Sequence, residues 1–306
     1  MAASQQEPNR TSASGNGVAA SPALHGRFSH LVNCRLRHQL GPIAVLAALA
    51  WVPLPFCSAG GQDEPLRAEI RRVKIGETKI GVAITEKPRS QYVFANLHDD
   101  ESTSVDAVQD VLNRSGGRLV ELRHTGKRLV VFKLKGREFR VDPNRIFTPA
   151  GARKTLERQS TYSDEAAVAV KRFAEDLLNI YRIDRSAAVI ALHNNPPGLY
   201  SALSYAAGGK YARDAGDVFI RDGSDPDDFF FVTERAVFDA LKRKGYNVVL
   251  QDNRQVTDDG SLSVYCGKSN VRYVNVEADH GHRKEQTQML LDLKLILDEL
   301  GPSKPH

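Results

Sequence analysis

Residues Tyr92 to Glu101, YVFANLHDDE, decide how this chain is read. Tyr92 to Leu97 is apolar apart from Asn96, and a short run of that kind reads as a buried strand. The strand delivers His98, Asp99, Asp100 and Glu101 into a turn. A histidine and a glutamate three positions apart are one common way to hold two corners of a zinc ion, since imidazole nitrogen and carboxylate oxygen are both ordinary zinc ligands. Alone the pair is weak, because a surface turn supplies it by chance. A site would need further ligands from elsewhere in the chain.

Upstream, AEIRRVKIG and TKIGVAITE alternate apolar and polar residues and read as two antiparallel strands joined at Gly76 and Glu77. Downstream, Thr103 and Asp106 resemble a capping box, with Val105, Val108, Val111 and Leu112 as the apolar stripe of a helix ending near Gly116. Strands are expected at 119–122, 129–134 and 138–141, then a loop leading into a helix over 142–156. A long helix follows over 164–181, and then the continuous apolar run Ala187 to Leu192, AAVIAL, suits a strand covered on both faces. Further strands are expected at 218–220, 229–232, 248–251, 263–266 and 273–276, with helices over 234–244 and 285–300. The alternation implies an α/β fold, a mixed β-sheet with helices on both faces and active residues at strand ends.

The 306 residues, 41% hydrophobic and 26% charged, have an ordinary globular composition, which excludes wholesale disorder. Of the net charge of +5, Arg10, Arg27, Arg35 and Arg37 against Glu7 place +3 before Gly60, so no nucleic-acid partner is inferred. Residues 1–30, rich in Ser, Ala, Asn and Gly, read as disordered. Arg35, Arg37 and His38 then precede the apolar run Pro42 to Cys57, which closes with Ser58 and Ala59. That order reads as a signal peptide cut after Ala59, with lipidation at Cys57 as a variant; Pro53 and Pro55 argue against a membrane span. The expected division is 1–59 disordered N-terminus and signal peptide, 60–90 N-terminal strands, and 91–306 a hydrolase domain. The expected location is outside the cytoplasm, in the periplasm. Removal of Cys34 and Cys57 would leave Cys266 alone, so a metal would need imidazole and carboxylate ligands.

Three more features share the pattern of a motif closing a strand. Val141-Asp142-Pro143-Asn144-Arg145-Ile146-Phe147 gathers Asp, Asn and Arg, with Arg137 seven residues before Asn144. Arg beside Asn suits a carboxylate, through paired guanidinium donors plus an amide; the plain reading is an arginine paired with a nearby acid. His193 follows AAVIAL directly and precedes Asn194, and Glu277 ends RYVNVE. A lone glutamate there is more often solvated than catalytic.

HDDE, DPNRIF, LHNN and VNVE in this order resemble the zinc carboxypeptidase superfamily, most closely its succinylglutamate desuccinylase and aspartoacylase branch, over Gln91 to Leu300. The resemblance implies one zinc ion on His98, Glu101 and His193. It further implies that Arg137 polarises the scissile carbonyl, that Asn144 and Arg145 grip a substrate carboxylate, and that Glu277 is general base toward a zinc-activated water. The branch usually has glycine where this chain has Asp99. The 84 residues from His193 to Glu277 are long for it, so an insertion over 208–228 is expected to reshape the pocket. His280 and His282 offer an alternative metal geometry. The expectation is an exported zinc hydrolase cleaving an amide bond next to a carboxylate in a peptide, cell-wall peptides included, or an N-acyl amino acid. The alternatives are a non-catalytic peptide- or carboxylate-binding envelope protein on the same scaffold, and a structural envelope protein with accidental motif matches. Oligomeric state is not legible.

Overall fold

The computed structural model describes residues 66–88 and 90–302. The expected disordered segment and signal peptide over 1–59 lie outside the described residues. The first two strands, β1 (Ala68–Ile75) and β2 (Thr78–Lys87), form an antiparallel hairpin in which Ile75 faces Thr78. Gly76 turns it with φ +57°, and a Cβ there would stand 2.3 Å from the Lys133 carbonyl oxygen. Next come β3 (Tyr92–Asn96), α1 (Ser102–Ser115) and β4 (Gly117–Arg123). The strands β5 (Val130–Leu134) and β6 (Arg137–Val141) form a separate two-stranded hairpin. A 3₁₀ turn, Pro143–Arg145, leads to α2 (Pro149–Gln159), α3 (Asp164–Tyr181) and β7 (Ala188–Asn195). The remaining elements are β8 (Ala215–Phe219), β9 (Phe229–Val232), α4 (Arg235–Lys244), β10 (Val248–Gln251), α5 (Leu262–Lys268), β11 (Tyr273–Asp279) and α6 (Arg283–Leu300).

Nine of these strands make one mixed sheet in the order β1-β2-β4-β3-β7-β11-β9-β10-β8. Its centre, β4-β3-β7-β11, is parallel, while β2 and β9 run antiparallel to their inner neighbours. Strand alternation divides the core in two. Phe94, Ile190 and Val276 face α1, α4 and α6, whereas Val93, Val189 and Tyr273 face α2, α3 and α5. Both faces of the central strands are thereby buried, as their near-continuous apolar runs require. The crossover after β3 passes through α1 to β4, and the chain leaves β7 toward β11 on the other side. The carboxyl ends of β3 and β7 thus sit where the connections diverge, the place where open α/β sheets leave a crevice.

Two local expectations are corrected. Residues 263–266 are helical, not a strand: Ser261 caps α5 by accepting from Val264 N at 3.4 Å, and Leu262, Val264 and Cys266 are all buried. A four-residue stretch such as Ser263 to Cys266 is too short for a period that separates the two states. The start of α1 has no capping box, because Glu101 occupies the N-cap position with its carboxylate engaged elsewhere, and Thr103 Oγ1 instead accepts from Gly281 N.

Candidate metal centre

His98 and Glu101 leave β3 on one tight turn, with Glu101 N donating to the His98 carbonyl at 3.2 Å. His193 comes from β7 and Glu277 from β11, where they are direct partners in the parallel register. Alternation points both toward the α2, α3 and α5 face. The flanking residue Asn194 points the other way into a buried chain: it accepts from Ser104 N at 2.9 Å and donates to Gln286 Oε1 at 3.0 Å, and Gln286 Nε2 donates to the His193 carbonyl at 2.9 Å. That chain fixes the strand end carrying His193 against α1 and α6.

The three residues expected to hold metal converge. His98 is fully buried and Glu101 and His193 nearly so, and their candidate ligand atoms all lie within 4.8 Å of one another. Glu101 Oε1 is 2.9 Å from His98 Nδ1, and Glu101 Oε2 is 2.9 Å from His193 Nδ1. The outer nitrogens are also occupied: His98 Nε2 lies 3.0 Å from Asp142 Oδ1, and His193 Nε2 lies 3.3 Å from Asn144 Nδ2. A carboxylate behind an imidazole is the usual support of a ligating histidine. An imidazole ligating through Nδ1 carries its proton on Nε2, which Asp142 accepts at His98; at His193 the same tautomer would need an acceptor where the Asn144 nitrogen stands, and turning that amide would give up the bond its Oδ1 accepts from Leu262 N.

Burial pushes the His98 imidazole down, but the Glu101 carboxylate and the Asp142 hydrogen bond outweigh it and lift its pKa to about 9. Burial likewise raises Glu101, and the two histidines overcome it and hold the carboxyl well below its ordinary range. Two buried imidazoles sharing one ionised carboxylate form a site whose charge balance a divalent cation could complete in place of protons. The donor set, His, Glu and His, fits zinc.

Glu277 is 6% exposed and its carboxyl is raised by burial, with Glu101 adding to the effect and His193 opposing it. Asn275 Nδ2 donates to its Oε1 at 2.9 Å, which leaves the other oxygen for the crevice. Asn144 is buried and its Oδ1 accepts from Leu262 N at 3.0 Å. Arg145 is half-buried and its Nε lies 3.3 Å from Asp259 Oδ2.

Arg137 is not in this group. It opens β6 at the far end of the hairpin, pairs with Leu134, is exposed, and lays its guanidinium 5.5 Å from the centre of the Phe139 ring. Counting seven residues back from Asn144 runs along an extended strand, which carries the side chain away from the turn at about 3.3 Å per residue. The arginine at the site is Arg128, which stands across the hairpin just before β5. Its Nη1 donates to Glu101 Oε1 at 2.7 Å, and its Nε is 3.5 Å from Asp142 Oδ2. Asp99, where glycine was the expected pattern, accepts from His124 N and Gly126 N at 2.7 Å each and so anchors the turn leading to Arg128. Sequence reasoning missed Arg128 and the part of Asp142; only the register that sets Val130 opposite Val141 brings them together.

The segment over 196–228 supplies an aromatic wall. Tyr200 and Tyr205 hydroxyls are 2.5 Å apart, and their rings pack on Phe229, Phe231 and Tyr211. Burial pushes both phenols up, and the charge of Glu277 adds to it, so both stay protonated. His282 belongs to another group, with Asp225 and Asp279.

No protein-family model matches the chain, and no curated protein matches it in sequence. Solved structures to which it is similar include the murein-tripeptide amidase MpaA from Escherichia coli O157, at 13% identity and a TM-score of 0.39, over 71% of this chain and 86% of that one. Another is a succinylglutamate desuccinylase/aspartoacylase from Rhodobacter sphaeroides, at 13% identity and a TM-score of 0.40, over 78% of this chain and 66% of that one. A third is the tripeptide-bound cell shape determinant Csd4 from Helicobacter pylori, at 10% identity and a TM-score of 0.38, over 68% of this chain and 50% of that one.

Proposed function

We propose that this chain is a metal-dependent hydrolase, and more particularly a member of the zinc carboxypeptidase superfamily that cleaves an amide bond adjacent to a carboxylate in a peptide or an N-acyl amino acid. The observation that carries the reading is the convergence of His98, Glu101 and His193 on one buried point, with Glu277 register-paired to His193 on the same face of the sheet. Zinc bound by the first three residues would supply Lewis-acid activation of a water molecule at neutral pH. Glu277 is the general base in this reading: its carboxyl is buried, raised, and held by Asn275 with one oxygen free. It would take a proton from the attacking water and return it to the leaving amine. Arg128 replaces Arg137 as the cation that stabilises negative charge on the carbonyl oxygen, and such a donor is worth about 3–4 kcal/mol in favourable cases. Asn144 and Arg145 take the substrate carboxylate, with Arg145 exchanging Asp259 for it. The protonated Tyr200 and Tyr205 hydroxyls offer donors along the opposite wall. Export to the periplasm, where cell-wall peptides would be available, is part of the proposal and rests on the N-terminal sequence pattern.

The test is zinc content and turnover on protein from Gly60 onward, assayed with N-acyl amino acids and peptides bearing free C-termini. His193→Ala should lose the ion at this centre. Glu277→Gln should keep it and lose turnover by roughly 10²-fold or more, the scale of a general base. A Glu277→Gln protein that hydrolyses at the wild-type rate would sink the assignment.

A further inference from the structure

A second cluster of ligating side chains lies beyond the carboxyl ends of β7 and β11. The loop over 221–228, RDGSDPDD, brings Asp225, Asp227 and Asp228 to the junction of β11 and α6, which supplies Asp279 and His282. Candidate ligand atoms of Asp225, Asp279 and His282 lie within 4.8 Å of one another.

Acidic clusters on surfaces are common, and most of this one is satisfied internally. Asp225 accepts from Asp227 N at 3.0 Å, Asp227 from Gly198 N, and Asp228 from Asp279 N at 3.1 Å. Asp279 is the exception. Its residue is 5% exposed, and its buried Oδ1 has no hydrogen-bond partner. A buried carboxylate with one oxygen that no donor meets, and with a candidate ligand atom within 4.8 Å of those of two further groups, costs free energy in the empty site. Like charges from Asp225, Asp227 and Asp228 add to that cost.

His282 is oriented as a ligand would be. Its Nδ1 lies 3.1 Å from Asp228 Oδ2 and 3.2 Å from Oδ1, so a carboxylate outside the trio fixes the ring. A cavity of about 470 Å³ borders the cluster on the side of Asp225 and Asp228, the one a proposed ligand and the other the support of His282.

We propose that Asp225, Asp279 and His282 form a second divalent-cation site, distinct from the His98, Glu101 and His193 centre, that takes zinc and ties the 221–228 loop to the junction of β11 and α6. The imidazole selects the cation: calcium and magnesium favour all-oxygen shells, whereas a nitrogen with two carboxylates suits zinc. The consequence reaches the crevice, because Asn195 Nδ2 donates both to the Asp227 carbonyl at 3.2 Å and to the Tyr200 carbonyl at 2.7 Å. Fixing the loop fixes the base of the aromatic wall.

The experiment is a calorimetric titration of chelator-treated protein with zinc, and with calcium in parallel. Wild type should take two zinc equivalents, and His282→Ala and Asp225→Asn one fewer or an affinity at least tenfold weaker for one of them. Both substitutions are at accessible positions, so loss of fold does not confuse the reading, and the lost equivalent is counted whatever His193 binds. Asp279→Asn separates a ligand from a merely structural acid. Without metal its unfolding midpoint should match or exceed that of wild type, since a neutral amide replaces an unpaired carboxylate, yet the midpoint should gain less from added zinc. Unchanged stoichiometry and affinity in His282→Ala and Asp225→Asn, filling of the site by calcium in preference to zinc, or an Asp279→Asn protein that gains as much from zinc as wild type would each overturn the proposal.

Discussion

Replacing Asp142 with alanine tests whether the site is built from behind. The Asp142 side chain is only 14% exposed, and its Oδ1 does two jobs. It stands 3.0 Å from His98 Nε2, and it accepts from Asn144 N at 2.9 Å as cap of the 3₁₀ turn. Loss of such a support typically weakens metal affinity about 10- to 100-fold, or about 1.4–2.7 kcal/mol. Loss of the cap removes about 1 kcal/mol of stability independently of metal. Asp142→Asn keeps an acceptor oxygen and the cap but removes the charge. Charge-assisted hydrogen bonds are roughly twice as strong as neutral ones, so the amide should recover about half of the binding free energy and lose only about 3- to 10-fold. The assay is competition for zinc against a chromophoric chelator, in a His282→Ala background so that one ion is read. Alanine and asparagine variants binding zinc as tightly as the parent would refute the argument that Asp142 orients His98.

The two arginines give opposite expectations. Arg128→Ala should lower kcat/KM by roughly 10²- to 10³-fold, the cost of losing a donor to a developing oxyanion, while Arg137→Ala, exposed and stacked on Phe139, should leave it within about twofold; steady-state kinetics on one responsive substrate decide. Asp259→Asn removes the charge that occupies Arg145 and keeps the oxygen that accepts from Ser261 N. A half-exposed ion pair of this kind is worth about 0.2–1 kcal/mol, so KM for a carboxylated substrate should fall up to about fivefold with kcat unchanged, and a rise in KM would count against Arg145 as the carboxylate grip.

The parts of this site that were legible in the sequence are those in which chemistry and local chain geometry coincide. His98 and Glu101 are joined by one turn, and His193 and Glu277 each end an apolar strand, so strand ends alone point to the crevice. The long helices over 164–181 and 283–300 and the central strands announce themselves through period and continuity. Arg128 was hidden because its neighbours are set by pairing between strands and not by distance along one. The β5 and β6 register folds residue 128 back to the Asp142 turn, and the same extension that closes this gap carries Arg137 out of reach. Asp99 was visible only as a departure from a pattern. Its two backbone hydrogen bonds, to His124 and Gly126, give it the task of holding the turn before Arg128. The aromatic wall had no signal, since the segment over 196–228 is mostly irregular and its tyrosines follow neither strand nor helix spacing. The Arg128 position therefore depends on two features at once, an acid where glycine is expected and a hairpin register, and a glycine at position 99 would release the arginine while leaving the side chains of His98, Glu101 and His193 in place.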